Sequence, residues 1–267
     1  MFFSVAGSVK KLTSRTPKGV PDCFEISHSG QTALVRVKRM KGTQRYTLRV
    51  NAAVREAVLT MPSRGTKAAA LEFATKHAAW ICARLKRLPL AVPFVPGSVL
   101  PLRGLPHILS HRPESRGRAW TEASEEQTTP ILSICVAGDL PHFRRRVADY
   151  LKREAELDLS AAVQKYCDMI GVSGRKITLR DTRSRWGSCS HDGRLNFSWR
   201  LILSPDYVLD YLAAHEVAHL IHMDHSEKFW ELTHQLCPNT DRAETWLKFH
   251  GSDLYRYGET SAETKFE

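Results

Sequence analysis

The run HEVAHLIHMDHSEKFW, His215 to Trp230, places four histidines and one glutamate within eleven residues. On a helix, a turn of about 100° per residue leaves His215 and His219 about 40° apart. Both imidazoles can then converge on one ion, with Glu216 standing beside them. Neutral imidazoles suit Zn2+, and a carboxylate next to the ion can take a proton from a water that attacks a polarised carbonyl. The chemistry implied is hydrolysis of an amide. Two histidines are only half of a tetrahedron. His222 shares the ligand face but lies about 10 Å along the axis from His215, which makes convergence on one ion awkward. His225 is better placed if the helix ends near His222 and the chain turns back.

These side chains need a helix and something to hold it. Ser204-Pro205-Asp206 reads as a helix start, with a serine N-cap, proline at the first position and an acid in the first turn. Val208 and Leu212 then share a side with His215 and His219. Ahead of this helix, RWGSCSHDGRLNFSWRL contains an Asp192-Gly193 turn, after which Leu195, Phe197 and Trp199 alternate with polar residues, the pattern of a β-hairpin. Lys176 to Arg180 forms a further strand. Phe229, Trp230 and Leu232 follow His225 at helical spacing and should buttress the metal loop as core. Asp224 with Glu227 reads as a capping box, the alternative being an acceptor that orients a ligand ring.

Further upstream, Pro141 to Ile170 carries Phe143, Val147, Leu151, Ala155, Ala162, Tyr166 and Met169 near helical spacing, with Gly171 just past its end. Gln31 to Val50 reads as two strands around Lys41-Gly42-Thr43, and Val58 to Met61 as a third. Thr66 to Leu88 follows as a helix on which His77 faces the core. Val99 to Arg112 is extended, Pro113 to Thr129 is a mobile polar loop, and Ile131 to Val136 is a strand. This pattern divides the chain into a flexible basic leader (1–25), a β-rich domain (26–136), a catalytic domain (137–258) and a tail (259–267).

The 267 residues are 42% hydrophobic, enough for a proper core, and no run approaches the roughly 20 apolar residues of a membrane-spanning helix. Membrane insertion is not expected. The N-terminus has its apolar patch before its lysines, unlike a secretory signal. Six cysteines are scattered without a C-x-x-C pair, which points to reduced thiols in a cytoplasmic compartment. The formal net charge of +11 favours an acidic partner such as nucleic acid. Six basic and no acidic side chains lie between Gln31 and Val50, so Arg36, Lys38, Arg45 and Arg49 are candidates for a nucleic-acid face, the alternative being an ordinary solvated surface.

HEVAHLIHMDHSEKFW, with RSRWGSCSHDGRLNFSWRLILSPDYVLDYLAA before it, resembles the YgjP-like zinc metallopeptidases over roughly the C-terminal 120 residues. The basic strands and the helix ending in AAWICARL look like the N-terminal half of the same family. The motif is more distantly similar to SprT-like and Spartan-type proteases. The third motif histidine stands at the metzincin offset, although His222 occupies the place of that clan's glycine. The resemblance implies a zincin fold, a protein or peptide substrate, Zn2+ held by His215, His219 and His225, and Glu216 as the catalytic acid and base. Arg183, Arg185 and Trp186 belong to the family's marker segment. A strand there can pair with an extended substrate, and an arginine can steady the oxyanion.

The fold expected is therefore α+β, a zincin-like catalytic half behind a β-rich half with one helix. Two rivals differ in chemistry. A deformylase-like amidase would take an upstream cysteine as third ligand, and Cys189, 26 residues before His215, is the candidate. A nucleic-acid-associated module would use the metal only as a staple, but a structural site closes all four positions with ligands and has no use for Glu216.

Overall fold

The computed structural model describes residues 23–51, 55–124, 130–182 and 185–258, and among them eleven β-strands and six α-helices in a mixed α+β arrangement. The expected tail lies outside these residues, as does most of the expected leader, while Cys23 already begins a strand. The chain divides into two compact units, Met1–Pro89 and Leu90–Glu267.

In the first unit β1 (Cys23–His28), β2 (Gln31–Met40), β3 (Thr47–Asn51) and β4 (Glu56–Pro62) form one sheet in the order β1-β2-β4-β3. β4 lies between β2 and β3 and runs parallel to β2, so the turn at Lys41-Gly42-Thr43 does not join neighbouring strands. Alternation sends Ala33, Val35 and Val37 of β2 and Ala57, Leu59 and Met61 of β4 to one face, where they form a core with Ala70, Ala74 and Ile81. Those last residues belong to α1 (Lys67–Lys76) and α2 (Ala78–Lys86). The single helix read from the sequence is broken at His77, whose ψ of 13° takes it out of helical conformation. Its ring packs on Phe73 at 4.6 Å between centroids, a packed histidine as the periodicity implied.

The second unit begins with β5 (Val99–Leu102), β6 (Leu105–Arg112), β7 (Ala119–Ser124) and β8 (Ile131–Ala137), ordered β5-β6-β8-β7. β7 corrects the mobile loop expected over Pro113 to Thr129. It is an edge strand with mostly solvated side chains, so its sequence carries no apolar alternation to announce it. Residues 125–129 lie outside the described set. The division of the chain also falls earlier than the boundary read near residue 136. Leu100, Leu102, Leu109, Ile134 and Val136 of this sheet share one core with Phe143, Val147 and Leu151 of α3 (Phe143–Met169), which ties the sheet to that helix.

After α3 come β9 (Ile177–Arg180), β10 (Gly187–Cys189) and β11 (Leu195–Ser198), ordered β10-β11-β9. β10 and β11 form the expected hairpin, with Gly193 at φ 75° in its turn. Trp199 leaves the strand for a short 3-10 turn ending at Leu203. Three helices complete the unit: α4 (Asp206–Ala218), α5 (Glu227–Leu236) and α6 (Thr240–His250). Ser204 does not cap α4 as its type suggested. It is buried, and its Oγ donates to Leu201 O at 2.6 Å, closing the 3-10 turn. At the start of α4 it is instead Asp206 whose Oδ1 accepts Tyr207 N–H at 2.7 Å, and the β5–β6 turn packs on the residues just before the helix. Arg103 N–H donates to Ile202 O at 2.8 Å, and a Cβ on Gly104 would come within 3.0 Å of Pro205. Among the described residues no helix is long and apolar enough to cross a membrane, and all six cysteines are free thiols.

Candidate metal centre

α4 carries His215 and Glu216 in its last turn and ends at Ala218, with His219 as the C-cap. Leu220 N–H to Val217 O (2.9 Å) and Ile221 N–H to Ala218 O (3.1 Å) tighten the end of the helix, and the chain reverses before α5. That reversal returns His225 to the helix, with its Nε2 3.3 Å from His215 Nε2. One ligand nitrogen each from His215, His219 and His225 lies within 4.8 Å of the others. Two nitrogens at about 2.0–2.1 Å from one tetrahedral ion stand about 3.3 Å apart, so this spacing fits a shared ion. His222 does not join them; its side chain lines a separate cleft with Met169, Ile221 and Glu231.

The remaining ring nitrogens are engaged in ways that leave the inner ones bare. His219 Nδ1 lies 2.9 Å from His222 O, and only a protonated nitrogen can bond a carbonyl, so Nε2 keeps its lone pair. His215 Nδ1 lies 3.2 Å from the Tyr211 hydroxyl, which itself donates to Glu244 Oε1 at 2.9 Å. With its proton committed to Glu244, the hydroxyl accepts from Nδ1–H, and His215 Nε2 is also bare. Burial, and then the neighbouring His219 and His225, lower the His215 pKa to about 4; burial lowers that of His219. Both rings are therefore neutral donors at neutral pH. Phe229 is fully buried beneath all three, stacked on His219 at 4.4 Å and edge-on to His215 at 4.9 Å and His225 at 4.8 Å. It is the buttress its position suggested, with Trp230 at the side of His215 and His225.

Sequence patterns did not reveal the Tyr211–Glu244 pair. Tyr211 stands one turn before His215 and is detectable by that spacing, whereas Glu244 comes from α6 through tertiary packing. The arrangement predicts that Tyr211→Phe keeps the fold but weakens metal affinity about tenfold, since the ring loses the partner that sets its tautomer. Competition with a chromophoric chelator measures this; an unchanged affinity would assign ring orientation to Phe229 alone.

Glu216 is 4% exposed, and its Oε2 has no hydrogen-bond partner among the described residues. Burial pushes its pKa up to about 8, against the opposing pull of the Arg185 charge and the Cys189 backbone N–H. A bound cation acts in the same downward direction. Gly187 explains how β10 runs so close, because a Cβ there would come within 2.4 Å of Glu216 Oε1. Of the marker segment, Arg185 is exposed with its charge near Glu216, whereas Trp186 stacks on Tyr255 at 5.1 Å. Arg183 lies outside the described residues. The Cys189 sulfur does not join the three nitrogens, and burial, then the Glu216 charge, push its thiol up to about 11. Asp224 forms no capping box with Glu227: its Oδ1 accepts Ser226 N–H at 3.3 Å, and Ser226 is the N-cap of α5.

Three imidazoles, those of His215 and His219 neutral, converge at the end of α4, where the buried Glu216 carboxyl follows His215, a donor set that fits a divalent transition metal. No curated protein matches the chain, and no solved structure does. A family model described as the YgjP-like metallopeptidase domain matches residues 44–250, which include α4, the reversal after it and α5. This chain belongs to the YgjP-like metallopeptidases, as the resemblance of its histidine run implied.

Proposed function

We propose that the chain hydrolyses peptide bonds with zinc held by His215, His219 and His225 and with Glu216 as the proton carrier. The observation that carries this reading is the buried, unpartnered Oε2 of Glu216, the residue that follows His215 on α4, together with three converging imidazoles, two of them with their outer nitrogens bonded. Among the described residues no fourth His, Cys, Asp or Glu joins the three histidines, in keeping with a catalytic rather than a closed structural site. Zinc, when bound, supplies Lewis acidity that polarises the scissile carbonyl and acidifies a water. Glu216 Oε2 accepts the proton of the attacking water and returns it to the departing amide nitrogen. Burial suits it to both steps, because a carboxyl whose pKa lies near neutrality both takes a proton and gives it up readily.

The β10 edge supports a peptide as the substrate. Trp186 O accepts Ser198 N–H and Ser190 N–H bonds Arg194 O, so alternation turns the main-chain groups of Gly187 and Cys189 away from β11. The Cys189 N–H meets Glu216, which leaves Gly187 to pair with an extended chain laid along this edge. Arg185 then serves the substrate or the oxyanion, and Trp186 holds the strand through Tyr255.

The direct test is to strip the protein with a chelator, reload it with zinc, and incubate it with casein and with a formyl-peptide. New peptide termini in casein, seen by mass spectrometry with the loaded protein alone, are the expected outcome. Deformylation without cleavage would favour the amidase, and tight zinc with neither reaction would favour a structural metal.

A further inference from the structure

The net charge of +11 is unevenly placed along the chain. Residues 23–89 carry 13 Lys and Arg against 3 Asp and Glu, a net +10, whereas residues 90–267 carry 22 against 24, a net −2. The unit ending at Pro89 thus holds a surplus that the metal-bearing unit does not share. In a unit of this size such an excess is self-repulsive and contributes nothing to the fold.

The sheet of that unit packs its helices on one face only. On the other, register places Arg36 of β2 and Arg49 of β3 on either side of Val58 of β4, and Lys38 across from Thr60, which in turn faces Thr47. Val58 is 6% exposed between those arginine stems. Arg45 stands in the bend two residues before Thr47, at the start of β3, and is exposed, as are Lys38 and Arg49. Arg36 differs from the other three that the sequence grouped with it: Nε and Nη2 bond Glu56 at 2.8 and 3.0 Å, so its charge is already matched. Lys38, Arg45 and Arg49 have no acidic partner among the described residues.

We propose that this outer sheet face binds the phosphodiester backbone of duplex nucleic acid, without reading its sequence, through Lys38, Arg45 and Arg49. Strands about 4.8 Å apart and side chains about 7 Å apart along one strand make a flat grid of cations and threonine hydroxyls, the groups that most often meet phosphate oxygens. Among the described residues the face has no ring for a base to stack on. Phe24, Tyr46 and Phe73 pack into the core beneath, and Trp80 is on α2, which argues for a duplex rather than a single strand. A protein interface would place apolar or aromatic anchors at its centre and a membrane would require a broad exposed apolar surface; the apolar side chains that share this face are the half-buried Leu34, the buried Val58 and Met40, exposed at the end of β2 and away from the centre. The inference stands apart from the peptidase reading, since it concerns the other unit and needs no metal.

The test uses the full chain and fluorescence anisotropy with labelled 20-base-pair DNA, RNA of the same sequence, single-stranded DNA, a poly-glutamate peptide and vesicles containing phosphatidylserine. The wild type should bind both duplexes at low salt with a dissociation constant on the order of 10 µM, weakening steeply as salt rises. The triple variant K38E/R45E/R49E should lower the slope of log affinity against log salt by about three units, one per phosphate contact. A charge-matched control on the helices, K76E/R84E/K86E, should lower it by less than one unit. K38Q/R45Q/R49Q, checked by circular dichroism, should follow the reversal variant and separates lost binding from lost folding. No binding of either duplex at 50 mM salt, equal effects of the sheet and helix variants, or tighter binding of poly-glutamate or vesicles than of duplex would each overturn the proposal.

Discussion

Glu216→Gln should keep one zinc ion per chain and lose peptide hydrolysis by on the order of a thousandfold or more. The two halves of that expectation come from different features. Metal retention is expected because the three converging nitrogens belong to His215, His219 and His225, and Glu216 is not among the groups that meet there. Loss of hydrolysis is expected because an amide at this position can accept a hydrogen bond but cannot take and return a proton, and general acid–base catalysis together with water activation accounts for a loss of this size. Gln keeps an acceptor for the Cys189 N–H and nearly the same volume against Gly187, so the packing that makes this position sensitive to size is left intact. Metal content by plasma emission and casein cleavage, measured on one preparation, separate the two. Zinc lost together with activity would place Glu216 among the ligands and end the proton-carrier mechanism.

His225→Ala should lower zinc affinity on the order of a hundredfold or more, the scale of losing one of a few ligands from a site worth about 10–16 kcal/mol. Its effect on folding should be small, since His225 is exposed and contributes little core. His222→Ala and Cys189→Ser should leave affinity nearly unchanged. His222 is turned into another cleft, and the Cys189 thiol would first have to surrender a proton held at about 11. X-ray absorption gives an independent reading, because nitrogen at about 2.0 Å is distinguishable from sulfur at about 2.3 Å. Sulfur in that shell, or zinc content indifferent to His225, would reject the three-histidine site and return the amidase reading.

Much of this centre was legible in the one-dimensional order of residues because helical geometry is local. Spacing alone placed His215, Glu216 and His219 together, the Asp192-Gly193 turn announced the hairpin, and the periodic apolar residues of α3 marked its extent to within a few positions. Family resemblance, and not spacing, chose His225, and the chain reversal after Ala218 now shows how it arrives without a glycine at His222: the last turn of α4 tightens and His219 caps it. Other features depended on partners far away in sequence. β7 escaped notice because an edge strand buries too little to alternate, and Ser204, a good N-cap by type, closes the preceding turn instead, while Asp206 accepts the Tyr207 N–H at the helix start. β4 enters between β2 and β3, a pairing that no local pattern distinguishes from a hairpin. Gly187 against Glu216, and the line from Glu244 through Tyr211 to His215, join residues 29 positions apart in each case, and only packing brings such groups within bonding distance. Side-chain type and short-range periodicity thus specify which atoms can do the chemistry, while the environment that makes His215 neutral, buries Glu216 and turns the outer nitrogens to their acceptors arises from long-range contacts that the order of residues does not display.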